Sequence, residues 1–195
     1  MKYYEKEFNF QVEDNIKTHL SLLTQCDDIS YAINEITKSI RKGGKLMFCG
    51  NGGSAADAQH LAAEYLVRLR PKVNRHPIAA ISLAQDTSTI TACGNDYGYD
   101  EIFLRPFQAL AKKNDILIAI STSGNSRNIL KVLKEAKKKR IFSLGFLSGE
   151  GGAAKKICTK AITVNSKITA RIQECHIFIG HFILEKVEDN LLSRK

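Results

Sequence analysis

The chain has 195 residues, of which 44% are hydrophobic, and its formal net charge is +9. This length suits one domain with a well-buried core and is short for two. It contains no apolar run of about 18 residues, so we expect no transmembrane helix. It also begins without the apolar stretch of a secretion signal, and we therefore expect a cytoplasmic protein.

The positive charge favours an anionic partner, which can be a nucleic acid, a membrane surface or a small substrate. The densest basic run, residues 131–140, has no interleaved aromatic residues, and we interpret it as a solvated helix face. We therefore predict no nucleic-acid and no membrane partner. The five cysteines are odd in number and never spaced C-x-x-C, which argues against a disulfide framework and a cysteine zinc site.

Hydrophobic periodicity predicts two helices, Tyr4–Gln25 and Asp28–Arg41, before the first strand. From Lys45 onward the pattern alternates between a strand, a loop of small residues and a helix. The predicted strands are Leu46–Cys49, Ile78–Leu83, Ile116–Ile120, Ile141–Leu147 and Ala161–Val164. The predicted helices are Ser54–Leu69, Thr87–Ala92, Asp100–Leu110 with an interruption near Pro106, Ser126–Lys139 and Ala170–Leu192.

This alternation predicts an α/β fold, a doubly wound five-stranded parallel sheet in the flavodoxin-like order 2-1-3-4-5. Two N-terminal helices precede the sheet and a long C-terminal helix follows it. We expect a single domain over residues 1–195, with the N-terminal helices in 1–44 and the core and C-terminal helix in 45–195. In this order strands 1 and 3 are neighbours whose outgoing connections diverge to opposite faces, which opens a crevice at their carboxyl ends.

Two loops of small residues would flank that crevice. Gly50–Ser54 follows the first strand and Ser121–Ser126 follows the third. A strand that runs directly into a helix presents unpaired N–H groups and the positive end of the helix dipole, which suit a phosphate group. The second loop adds three hydroxyl groups. The alternative is that these residues only cap the following helices.

The first loop also fits the dinucleotide-binding fingerprint G-x-G-x-x-A. That motif requires an acidic residue about twenty positions later to hold a ribose, whereas residues 67–72 contain only basic charges. A P-loop is excluded because no Gly-Lys-Ser/Thr follows. A nicotinamide oxidoreductase is therefore a distant alternative.

Four polar residues on two predicted helices are candidates for chemistry. His60 and Glu64 are four residues apart and share a helix face, where they can bind a metal or share a proton. Gln173 and His181 lie two such steps apart on the apolar last helix, where buried polar groups need partners. The alternatives are a solvent-facing His/Glu contact and a satisfied core histidine. A catalytic role requires that the two helices bring all four side chains together.

Four segments, in order and with matching spacing, resemble the phosphoheptose isomerases of the sugar-isomerase (SIS) domain superfamily. They are GNGGSAADAQHLAAE (residues 50–64), GND (94–96), STSGNS (121–126) and QECH (173–176) with His181. The resemblance extends over nearly the whole chain. It implies an aldose–ketose isomerase that converts sedoheptulose 7-phosphate, a phosphorylated seven-carbon sugar, to D-glycero-D-manno-heptose 7-phosphate for lipopolysaccharide or capsule synthesis.

The resemblance also implies a ligand set and substrate contacts. One zinc ion per subunit would be held by His60, Glu64, Gln173 and His181. The substrate would contact Asn51, Gly52, Gly53, Ser54, Glu64, Asn95, Asp96, Ser121, Thr122, Ser123, Ser126 and Gln173. A homotetramer with active sites at subunit interfaces is implied as well, with the N-terminal helices serving oligomerisation.

For the reaction we assign Glu64 as the base that removes a proton to form a cis-enediol, and His181 as the group that returns one. The alternative function is a non-catalytic SIS-domain protein, either a regulator or a partner of the replication initiator. A scaffold of that kind has no need for His60, Glu64, Gln173 and His181 together.

Overall fold

The core of the protein is a five-stranded parallel sheet in the order β2-β1-β3-β4-β5, which confirms the predicted topology. The computed structural model describes residues 2–193, with side chains described from residue 4. The strands are β1 (Leu46–Gly50), β2 (Ala80–Ser82), β3 (Ile116–Ile120), β4 (Phe142–Ser148) and β5 (Lys160–Val164). Every residue of β1 and β3 is buried, as expected for central strands that are covered on both faces.

Helices cover the two faces of the sheet. They are α1 (Lys2–Ser21), α2 (Cys26–Arg41), α3 (Gly53–Leu66), α4 (Thr87–Asp96), α5 (Leu104–Leu110), α6 (Arg127–Lys138), α7 (Gly152–Lys155) and α8 (Thr169–Leu192). Short 3-10 helices occupy Leu22–Gln25 and Tyr99–Glu101. No helix among the described residues is both long and apolar enough to cross a membrane. The predicted domain limits stay a prediction. Their outermost residues, Met1, Arg194 and Lys195, lie outside the described residues.

Successive residues of β1 point to opposite sides of the sheet and enter two separate cores. Leu46 and Phe48 join the core formed with α2, α3 and α8. Met47 and Cys49 join the core formed with α5 and α6. The helix after β1 and the helix after β3 therefore leave to opposite faces. Since Gly50 pairs with Ile120 in the register, the two loops that follow start side by side at one edge of the sheet.

Several predicted boundaries differ from the structure. The interruption predicted near Pro106 lies before Leu104, and Pro106 is the third residue of α5. A proline is tolerated there because N–H groups of the first turn have no intrahelical acceptor. The predicted first helix ends at Ser21 and continues as a 3-10 turn, β2 is shorter than predicted, and α7 was not predicted.

Helices α3 and α8 run in the same direction and pack closely. A Cβ built on Gly180 would lie 2.6 Å from Cδ1 of Leu61, so only glycine fits without movement of that side chain. One turn further along each helix, the Tyr65 hydroxyl donates to the carbonyl oxygen of Leu184 at 3.1 Å. This hydrogen bond fixes the position of α8 along its axis relative to α3.

A buried ion pair fastens the C-terminal end of α3 to α8. Nε of Arg75 lies 3.1 Å from Oε1 of Glu188, and these side chains are 4% and 0% exposed. The same guanidinium donates to the carbonyl oxygens of Glu64 at 2.8 Å and Tyr65 at 3.0 Å. Arg75 therefore satisfies carbonyl groups that the end of a helix leaves without partners.

We expect Glu188→Ala to lower the free energy of unfolding by about 3–5 kcal/mol, because it leaves the Arg75 guanidinium buried without a counter-charge. Urea unfolding at one fixed protein concentration measures the change. Glu185→Ala is the matched control on the same helix. Glu185 is 40% exposed, and its removal should cost about 1 kcal/mol or less. Equal losses in both variants would contradict the role given to the buried pair.

Candidate active site

The first loop connects β1 to the N-terminus of α3. Gly52 adopts φ +57° and ψ −123°, a conformation that side chains other than glycine strongly disfavour. The N–H groups of Gly52 and Gly53 have no acceptor among the described residues. They point out of the positive end of a helix of 14 residues, as an anion-binding loop requires.

The second loop connects β3 to α6 and keeps several donors available. The Ser121 hydroxyl oxygen accepts from the N–H of Gly124 at 3.1 Å, and that of Ser123 accepts from the N–H of Asn125 at 3.2 Å. Ser126 is the N-cap residue of α6, but its side chain makes no capping hydrogen bond. The N–H groups of Thr122, Ser123 and Ser126 have no acceptor within the described chain. Capping by hydroxyl groups therefore does not account for this serine cluster.

His60, Glu64 and His181 form one cluster. Nε2 of His60 lies 2.7 Å from Nε2 of His181 and 3.3 Å from Oε1 of Glu64. His60 is exposed, and the other two are half-buried. Burial lowers the pKa of His181, the neighbouring His60 lowers it further, and Glu64 opposes the shift. His181 therefore favours the neutral form, whose ring offers one donor and one acceptor.

The three side chains fit a divalent transition metal. Their ligand atoms lie within 4.8 Å of one another. Two imidazole nitrogens and one carboxylate oxygen are the donor set of many catalytic zinc sites, which keep a further position open. Two Nε2 atoms 2.7 Å apart are at hydrogen-bond distance, so one carries the hydrogen and the other accepts it. Two imidazole nitrogens on one tetrahedral zinc would lie about 3.3 Å apart. The donor chemistry is therefore compatible with the predicted zinc.

The buried core histidine of α8 is His176, not His181. His176 is fully buried, and its Nε2 lies 3.0 Å from the carbonyl oxygen of Leu147. Because a carbonyl accepts, this nitrogen carries the hydrogen. Burial lowers the pKa of His176 to about 4, so the ring is neutral at physiological pH. His181 is thus the histidine of this helix that is available for chemistry.

Gln173 lies beside the glycine-rich loop. A Cβ built on Gly53 would come within 2.4 Å of Nε2 of Gln173, so the amide packs directly on the start of α3. Gln173 is about 12 Å of helix rise from His181. Its position suits a contact with a ligand held by the loop. Its predicted role as a zinc ligand stays a prediction.

Asn95 and Asp96 are placed apart from these residues, at the C-terminal end of α4. Both side chains are exposed, and Nδ2 of Asn95 donates to Oδ1 of Asp96 at 2.8 Å. Neither makes a hydrogen bond with the two loops in the described part of the chain. Their predicted substrate contact stays a prediction.

Sequence reasoning missed three polar residues near the cluster and the loops. Asn128 and Tyr99 both hydrogen-bond to the side chain of Asn51. Asp57 lies one turn before His60 on α3, and its Oδ2 is buried without a partner among the described atoms. Burial raises the pKa of Asp57 to about 6, and His60 opposes the shift. The spacing of three residues between Asp57 and His60 was the available signal.

The sequence and the fold of this chain are similar to those of known proteins. A family model described as SIS domain matches residues 12–148. Phosphoheptose isomerase 2 of Campylobacter jejuni is 46% identical over 183 residues, which are 94% of this chain and 89% of that protein. Solved phosphoheptose isomerases of Francisella tularensis and Neisseria gonorrhoeae match at TM-scores of 0.90 and 0.89 with 32% identity. The matches cover 95% of this chain and 98% and 99% of theirs.

We expect Asp57→Asn to stabilise the protein at about pH 8 by about 1–2 kcal/mol, a value reduced for partial exposure. The folded protein holds this proton up to about pH 6, whereas the unfolded chain releases it near its ordinary pKa. The stability contributed by the protonated carboxyl is therefore present at low pH and lost as the pH rises through that value. Urea unfolding of both proteins at about pH 4 and 8 tests this. A gain at low pH that disappears at high pH would contradict it.

Proposed function

The chain belongs to the SIS domain family and, within it, to the phosphoheptose isomerases, and from this we propose that it interconverts sedoheptulose 7-phosphate and D-glycero-D-manno-heptose 7-phosphate. The observation that carries the proposal is the cluster of His60, Glu64 and His181 on helices that pack beside the two donor-rich loops. A non-catalytic SIS-domain scaffold would not require it. The product would supply heptose for lipopolysaccharide or capsule.

The phosphate group binds at the N-terminal ends of α3 and α6. Free N–H groups of Gly52, Gly53, Thr122, Ser123 and Ser126 supply neutral donors, and the helix dipoles favour negative charge. His60 lies about 10 Å of helix rise from Gly53. This span suits an extended seven-carbon chain with its phosphate in the loops and its carbonyl end at the cluster.

Glu64 and His181 carry out the proton transfers. Glu64 removes a proton from carbon 1, next to the carbonyl group at carbon 2, and the carbonyl oxygen takes up a proton, which gives a cis-enediol. His181 then delivers a proton to carbon 2 while the hydroxyl group on carbon 1 releases its proton, so the carbonyl group is now at carbon 1. Burial and the neighbouring His60 lower the pKa of His181, which favours the neutral ring with one nitrogen that donates and one that accepts. When zinc is bound by His60, Glu64, Gln173 and His181, one per subunit, it supplies positive charge that stabilises negative charge on the substrate oxygens.

The central experiment follows the sugar by NMR. Zinc-loaded protein is mixed with sedoheptulose 7-phosphate, and we expect aldose signals to grow to an equilibrium ratio. In deuterated water we expect deuterium at carbon 1 or 2, the mark of an enediol path, and a chelator should slow the reaction. Failure of the zinc-loaded protein to form any aldose would refute the proposed function.

We expect Glu64→Gln to lower kcat by about 10²–10⁴-fold, the usual contribution of a positioned base, while the variant still binds inorganic phosphate. Glu185→Gln is the control, since Glu185 lies on α8 and forms an ion pair with Lys186. Steady-state rates, phosphate binding and zinc content are measured for both variants. Wild-type turnover by Glu64→Gln would remove Glu64 from the mechanism.

We also propose that the protein is a cytoplasmic homotetramer. Its cysteines, Cys26, Cys49, Cys93, Cys158 and Cys175, are all free, which supports a reducing compartment. An apolar groove of about 460 Å³ lies between α1 and α8. Large apolar side chains around it are 41–69% exposed, among them Ile16, Leu20, Leu23, Phe178 and Phe182. Exposed apolar area of this kind is typical of a surface that a second subunit covers.

The cluster of His60, Glu64 and His181 needs no second subunit, because one chain brings the three side chains together. The contact between α3 and α8 at Gly180 is sufficient. Active sites at subunit interfaces stay part of the proposal, although the cluster of His60, Glu64 and His181 lies within one chain.

We expect Leu20→Asp to dissociate the tetramer, because it places a charge in the apolar groove. Light scattering coupled to gel filtration gives the mass. Leu110→Asp is the matched control on α5, where the replaced leucine is 41% exposed and lies outside the groove. An unchanged tetramer mass for Leu20→Asp would place the interface elsewhere.

A further inference from the structure

The two loops are joined by a reciprocal pair of side-chain amides. Asn51 follows β1, and Asn128 lies in the first turn of α6. Nδ2 of Asn128 donates to Oδ1 of Asn51 at 2.8 Å, and Nδ2 of Asn51 donates to Oδ1 of Asn128 at 3.0 Å. Asn128 is 1% exposed. The pair is thus the direct polar link between the glycine-rich loop and the helix that begins at the serine-rich loop.

A backbone group fixes the orientation of both amides. The N–H of Ile129 donates to Oδ1 of Asn128 at 2.9 Å, so this atom must be the oxygen. Nδ2 of Asn128 therefore donates to Asn51, and the atom that it meets is the oxygen of that side chain. The Tyr99 hydroxyl, 3.0 Å from the same oxygen, must then donate to it. Both orientations follow from donor chemistry alone.

This arrangement fixes the Asn51 side chain. Its oxygen accepts two hydrogen bonds, and one of the two N–H groups of Nδ2 donates to Asn128. Among the described residues, the second N–H of Nδ2 and the backbone N–H groups of Gly52 and Gly53 have no acceptor. Asn51 directly precedes these glycines, so its side-chain hydrogen bonds anchor the chain at the residue where the loop begins.

We propose that Asn128 is a positioning residue for substrate binding: through Asn51 it aligns the N–H groups of the glycine-rich loop with those at the start of α6. This inference rests on the proposed function in that the phosphate ester is taken to lie between the two loops. Asn51 then contributes to the site through the backbone that it holds in place. A preorganised pair of loops binds more tightly because less ordering is required on binding.

A double-mutant cycle tests the coupling. We expect Asn51→Ala and Asn128→Ala each to raise KM for sedoheptulose 7-phosphate about tenfold, with kcat within about threefold of wild type. The KM of the double variant should also be about tenfold above that of wild type, because either change already breaks the pair. A KM about a hundredfold above wild type in the double variant would overturn the proposal, because the two effects would then be independent. A fall in kcat with unchanged KM would also overturn it.

Two further measurements make the test decisive. Asn165→Ala, an exposed asparagine just after β5, is the matched control and should leave KM unchanged. If Asn128→Ala fails to fold, Asn128→Leu keeps nearly the same shape and removes both polar groups of the amide without adding a charge, and the same rise in KM is expected. The cycle is repeated with inorganic phosphate as the ligand and its Kd as the readout. Coupled losses of phosphate affinity in a protein that does not isomerise the sugar would refute the proposed function and support this inference.

Discussion

The adjacency of β1 and β3 is the constraint on which the rest of the site depends. The two strands pair in register from Leu46 to Gly50, yet α3 and α6 leave them for opposite faces of the sheet. No connection crosses the gap at their carboxyl ends, so two helix N-termini converge there. The donors that result are neutral N–H and hydroxyl groups. None of these donors titrates near neutral pH, and the proposed phosphate site needs no charged side chain.

The sequence predicts this part of the fold well because its signals are local. Continuous apolar runs mark the buried strands, and the small residues after them mark the loops. The break before Leu104 was misplaced because proline usually interrupts a helix, whereas Pro106 occupies the first turn, where it is tolerated. Such a boundary depends on where the preceding 3-10 turn ends, and periodicity does not encode that.

The site was only partly predictable, because some of its contacts join residues that are far apart along the chain. The spacing of His60 and Glu64 on one helix is fixed by helix geometry, but the arrival of His181 depends on how closely Gly180 lets α8 approach Leu61. Helical spacing singled out His181 as a polar residue on an apolar helix, but only the family resemblance placed it with His60 and Glu64. Asn128 was missed because a polar residue in the first turn of a helix usually faces the solvent or caps the helix. Its partner is 77 positions away along the chain, so no local pattern reveals it.

The interaction that holds α3 and α8 together also bears on the proposed chemistry. Arg75 donates to the backbone oxygen of Glu64 and pairs with Glu188, which lies two turns beyond His181 on α8. A buried ion pair contributes little net stability by itself, but it requires close geometry. Here that geometry links the backbone of the proposed base to the helix of the proposed acid. The Gly180 contact sets how near the two helices lie, and the Arg75–Glu188 pair restricts their sliding past each other. Together they keep the side chains of Glu64 and His181 at the same level along the two helix axes. Proton transfer to and from neighbouring carbons requires that both groups lie close to the substrate.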